Sequence, residues 1–173
     1  MLLKSWSLRQ TRRGSDVLVR GPGAVVGIES KLTEYLATHR AVFSPAYAEQ
    51  IRDERREQGY FREMLRLMDA PDSYVWLDAA QMIKHAFGLA RTFGGRPVTL
   101  LYLFWEPANP EAHRVFTEHR QEIADFAGPV AGSTPAFEAM SYPDLWARWQ
   151  ETGPAPWLAP HLDELRARYE VTL

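Results

Sequence analysis

From Val98 to Trp105 the chain carries apolar side chains at both parities of an extended backbone. Successive side chains of a strand point to opposite faces, so such a strand needs cover above and below. The run is far too short to cross a bilayer, which takes about 20 residues as a helix. It therefore predicts a central strand beside a mixed sheet, with helices on both faces, and sets an α/β architecture for the rest of the chain.

Three strand-like pieces come earlier. Leu2 to Arg9 alternates, with Leu2, Trp6 and Leu8 on one side and Leu3, Ser5 and Ser7 on the other. Asp16 to Arg20 is short and β-branched, and Ala24 to Lys31 is the third piece. Gly21, Pro22 and Gly23 signal a turn between the last two. These pieces are expected to form an antiparallel meander. Thr33 to Thr38 predicts a helical turn. Pro45 opens a long helix from Ala46 to about Met68, dense in Arg and Glu and bent at Gly59. A second helix is expected from roughly Trp76 to Phe93, where Met82, Ile83, Ala86, Phe87 and Ala90 recur at helical spacing and Gly94 and Gly95 end it. An amphipathic helix over Asn109 to Ala127 and a strand over Pro135 to Tyr142 follow. The length of 173 residues suits one domain, with a core over about 2–142 and a helical extension over about 143–173.

Composition bounds the function. The absence of cysteine removes disulfides and thiolate metal sites and fits a reducing compartment, so the expected location is the cytoplasm. The opening residues are too few and too polar for a signal peptide. Net charge is only −2, but residues 1–31 carry +4 of it, from Lys4, Arg9, Arg12, Arg13, Arg20 and Lys31 against Asp16 and Glu29. A basic end on an acidic chain can draw a polyanion toward an acid cluster; a chance imbalance over a short segment serves equally well.

Lysine is scarce, with 3 copies against 17 arginines, and one of them closes the third strand-like piece. Glu29 and Lys31 stand two apart on that piece and share a face. Asp16 lies on the piece before. Two acids and a lysine can hold a divalent cation and steady an attacking water. Glu29 follows four mostly apolar residues, so its carboxylate starts near a core, where charge is costly unless paired or used. The bland alternative is a surface ion pair on an exposed strand, worth little.

Asp16 on the second strand, Glu29-Ser30-Lys31 on the third, and Gln81 on the helix before the buried strand together resemble the PD-(D/E)xK nuclease superfamily, the restriction-endonuclease-like fold. The resemblance covers Leu2 to about Trp105. Ser15 stands where the motif's name has proline, and the sequence enters at or near the first strand, where many members carry a preceding helix. The resemblance implies a single nuclease-like α/β domain that hydrolyses phosphodiester bonds, foremost in DNA, in a restriction, defence or repair setting. Asp16 and Glu29 would bind Mg²⁺ or Mn²⁺, Lys31 would position or activate water, and Gln81 would orient the water or the lysine. The expected partner is nucleic acid rather than membrane, and the reading allows a homodimer. The alternative is a catalytically inactive module of the same fold that binds DNA or a protein.

Lesser candidates surround these. Gln81, Lys84 and His85 share a helix face, and the last two could flank a phosphate or form a partly buried polar stripe. Arg12, Arg13 and Arg20 are candidates for substrate contact. Glu34 could act on the site or serve the start of a helix. Arg52, Arg55, Arg56, Arg62 and Arg66 interleave with acids and read as a solvated face. His113 and His119 fit no metal spacing. The hairpin register matters most, because Asp16 and Glu29 can share a cation only from one face of the sheet. Pro-Gly favours type II turns, which suit tight hairpins poorly, so a longer even loop or a bulge is expected between the two strands.

Overall fold

The computed structural model describes residues 7–9, 17–49 and 58–173. Asp16, Arg12 and Arg13 lie outside the described residues, as do Arg52, Arg55 and Arg56 and most of the first expected strand. The described sheet has five strands in the order β1 (Ser7–Arg9), β2 (Val17–Arg20), β3 (Val25–Lys31), β4 (Val98–Phe104) and β5 (Ala136–Ser141). The pairs β1–β2 and β2–β3 are antiparallel, and the pairs β3–β4 and β4–β5 are parallel. Parallel neighbours need a crossover. Helices α1 (Pro45–Glu49), α2 (Gly59–Asp69) and α3 (Ala79–Phe93) occupy the first, and α4 (Arg114–Val130) occupies the second. Helices α5 (Tyr142–Glu151) and α6 (Leu158–Tyr169) follow the sheet.

Four residues, Gly21 to Ala24, lie between β2 and β3, the longer even loop expected from Pro-Gly. Gly21 N–H donates to the Ala24 carbonyl at 2.9 Å, and Arg20 pairs with Val25, Leu18 with Gly27 and Val17 with Ile28. Burial explains the register. It sets Leu18 beside Val25 and Gly27 on the covered face, and a slip of one residue would turn Leu18 to the other side.

One face of the sheet is fully covered. Val25 and Glu29 on β3 and Val98, Leu100, Tyr102 and Phe104 on β4 are buried there, against Met64 and Leu67 of α2, Met82, Ile83 and Ala86 of α3, and Phe126 of α4. The other face is less complete than the apolar run of β4 suggested. Val26, Ile28, Thr99 and Leu101 are half-buried, while Leu103 is buried. Tyr142, at the start of α5, reaches this face, its hydroxyl 2.7 Å from that of Ser30.

The long helix expected over Ala46 to Met68 is interrupted. Gln58 is extended, with φ −72° and ψ 132°, so Gly59 opens α2 instead of bending one helix. Close packing explains the glycine: a Cβ there would lie 2.6 Å from the Pro129 carbonyl oxygen at the end of α4. Helix α3 starts at Ala79 instead of Trp76. The N–H groups of Val75, Trp76 and Leu77 each donate to the Glu122 carboxylate at 2.8 Å, which draws that segment toward α4. Asp78 then caps α3, accepting from the Gln81 N–H at 2.9 Å. Helix α4 begins at Arg114, later than Asn109, after a 3₁₀ turn over Pro110–Ala112.

Candidate catalytic site

Strand β3 carries Glu29 and Lys31 to the covered face, and α3 packs over them. Glu29 is wholly buried. Nζ of Lys31 lies 2.8 Å from its Oε1, and Nδ1 of His85 lies 2.9 Å from its Oε2. Exposure of the Lys31 side chain is 17%, so the cluster meets solvent along the lysine. Neither contact is aligned as a directed hydrogen bond: both Glu29 oxygens and His85 Nδ1 lack one. Burial pushes the Glu29 carboxyl up, but His85 and Lys31 outweigh it and hold the group below the usual carboxylate range.

The surroundings are closely packed. Tyr102 sits opposite Glu29 in the β3–β4 ladder. Burial, and then Tyr35, Glu29, Asp78 and Glu34, hold its hydroxyl well above the ordinary tyrosine range. That hydroxyl lies 3.0 Å from Nε2 of His119. His119 stacks on Tyr35 at 4.0 Å between ring centres. Burial, then the Arg120 and His39 charges, push His119 down to about 3, so it is a neutral core residue. The carboxylate of Glu34 accepts from the N–H groups of Leu32 at 2.7 Å and Thr33 at 3.0 Å, which fixes the turn that leaves β3 just after Lys31.

Of the other sequence candidates, Gln81 stays on the side of α3 that carries His85, and Lys84 and Arg20 lie elsewhere. Gln81 is half-buried one turn before His85 on α3, and its backbone N–H is taken by Asp78. Lys84 turns away, with Nζ 5.4 Å from the centre of the Phe43 ring. Arg20 pairs with Val25 at the far end of β3, about 13 Å along the strand from Glu29 at about 3.3 Å per residue. Its guanidinium lies 4.9 Å from the centre of the Phe93 ring, so it is not part of the cluster. Sequence reasoning gave His85 a flanking role; the structure puts it in contact with Glu29. Its spacing of four from Gln81 was the available signal, because both then lie on one side of α3. Asp78 and Tyr102 were missed; Asp78 followed by Gln81 three residues on is a local helix-start signature, whereas no local pattern marks Tyr102.

Among the described residues, no group of three or more His, Asp or Glu side chains could hold a metal ion. Glu29 and His85 nevertheless fit part of such a set, since their facing atoms are buried and have no aligned partner. Their donors are a carboxylate and an imidazole, both common cation ligands.

No described helix is long and apolar enough to cross a membrane. No curated protein and no solved structure matches the chain. The α/β sheet is compatible with a restriction-endonuclease-like fold. The family described as REase-ARP, Restriction Endonuclease associating with ARP, matches residues 8–170, nearly the whole chain and every element around Glu29, and the chain belongs to that family.

Proposed function

We propose that this protein is a metal-dependent nuclease of the PD-(D/E)xK type that hydrolyses phosphodiester bonds in DNA. The observation that carries the reading is the fully buried Glu29 carboxylate, ion-paired to Lys31, with Nδ1 of His85 2.9 Å from its other oxygen and no aligned hydrogen bond. Burying an unused charge in this way is costly, and functional sites are where such arrangements concentrate. The family description supports a nuclease-related role.

Glu29 would hold the cation together with Asp16. The last described pair of the β2–β3 ladder is Val17 with Ile28. When bound, a divalent cation offsets charge on the phosphate and lowers the pKa of bound water. Lys31, at the solvent edge of the cluster, donates to a non-bridging phosphate oxygen or holds the attacking water as a compact point charge with rotatable donors. Gln81, a turn before His85, orients that water. The buried Tyr102 and Phe104 beside Glu29 and Lys31 in the ladder keep bulk solvent from the back of the site.

The test is cleavage of plasmid, linear and single-stranded DNA with Mg²⁺ or Mn²⁺, with and without chelator. Cation-dependent cleavage that is lost in Lys31→Ala supports the reading. A well-folded wild-type protein that binds DNA and cleaves none of these substrates points to the inactive module instead.

A further inference from the structure

Oε2 of Glu29 and Nδ1 of His85 stand 2.9 Å apart, with side-chain exposures of 1% and 11%. Neither atom has an aligned hydrogen bond. Adjacent ligands of an octahedral divalent ion, each at about 2.1 Å, are about 3.0 Å apart. The carboxylate oxygen and the imidazole nitrogen are therefore already spaced as neighbouring corners of such a site.

The two donors differ in kind. Mg²⁺ and Ca²⁺ take oxygen ligands, whereas imidazole nitrogen suits the first-row transition ions. We infer that His85 is a nitrogen ligand to the cation held by Glu29, and that it biases the site toward Mn²⁺ over Mg²⁺. This inference rests on the metal-dependent reading above and assigns its cofactor. The fold supports the role. His85 lies mid-helix on α3, beside the buried Met82, Ala86 and Leu89, so its ring is presented by a packed element and not by a loop. Lys31 occupies the other carboxylate oxygen, Oε1, which leaves Oε2 facing the imidazole.

The decisive measurement is pulsed electron paramagnetic resonance of Mn²⁺ added to the intact protein without nucleic acid. A directly bound imidazole gives ¹⁴N hyperfine coupling to the manganese. The wild type is expected to show that coupling and to bind Mn²⁺ roughly tenfold or more tightly than Mg²⁺ in competition. His85→Ala should lose the coupling and most of the preference, with a smaller change in Mg²⁺ affinity. Bound Mn²⁺ without nitrogen coupling in the wild type overturns the inference, and cation-dependent cleavage measured in parallel would leave the nuclease reading standing. If neither ion binds and no cleavage occurs, the inference and the metal-dependent reading both fail. The wild-type spectrum decides even if His85→Ala does not fold.

Discussion

Glu29 and Tyr102 sit opposite each other in the parallel β3–β4 ladder, both buried, yet the Tyr102 hydroxyl contacts His119. The phenol thus walls one side of the carboxylate, and the partners of Glu29 are the ammonium of Lys31 on its own strand and the imidazole of His85 from α3. Breaking a buried pair by removing one partner leaves an uncompensated charge, so this cluster responds sharply to substitution.

Lys31→Met should lower cleavage by on the order of 10²-fold or more, the scale seen when a transition state loses a charge stabiliser. Circular dichroism should show native secondary structure at a lower denaturation midpoint, because the buried Glu29 loses one of its two partners. Near-normal cleavage would remove Lys31 from the mechanism.

Glu29 links stability to acid. Its carboxyl lies below the ordinary value in the folded protein. The stability it contributes is therefore complete above the unfolded carboxylate pKa, about 4.3, and is lost as pH falls through the lower folded value. Urea denaturation from pH 7 to 3 should show wild type losing more stability than Glu29→Gln across that window. Parallel acid limbs would mean that the cluster does not hold the carboxylate charged.

His119 acts in a higher window. Its folded value is pushed down to about 3, whereas the unfolded imidazole titrates near the ordinary value of about 6.5. Protons thus bind the unfolded chain first, and stability falls as pH drops below about 6.5, by up to about 1.4 kcal/mol per pH unit. His119→Phe keeps an aromatic ring beside Tyr35 and should flatten this limb, although it costs stability at every pH by leaving Tyr102 unpaired. An unchanged slope would show that His119 accepts protons in the folded state.

Gly59→Ala tests the contact between α2 and α4. Alanine favours a helix by about 1 kcal/mol over glycine, but its Cβ would come within 2.6 Å of the Pro129 carbonyl oxygen. Overpacking costs about 1–3 kcal/mol, so a lower denaturation midpoint is expected. A higher midpoint would mean that the two helices separate easily.

Much of the layout was legible in local pattern. The apolar run of β4, the Gly-Pro-Gly turn before β3 and the helical spacing of Met82, Ile83 and Ala86 each follow from the chemistry of neighbouring residues. The shared side of Glu29 and Lys31 follows too, because strand side chains alternate with a period of two. Boundaries were harder, since they depend on distant partners. Helix α3 waits for Asp78 because Glu122, far along the chain on α4, holds the three preceding residues outside the helix. The close approach of the end of α4 to Gly59 likewise lies outside any window around that residue.

The sequence by itself determined the alternation on β3, and with it which side chains could stand together on one strand. Only the tertiary structure decided what meets them. The parallel β3–β4 register placed Tyr102 beside Glu29. The packing of α3 over β3 turned His85 onto the carboxylate, and the hairpin register left Arg20 at the far end of the strand. The physical reason is that periodicity acts within one element, whereas a site is assembled from several, and the distances between elements are set by how their buried faces fit.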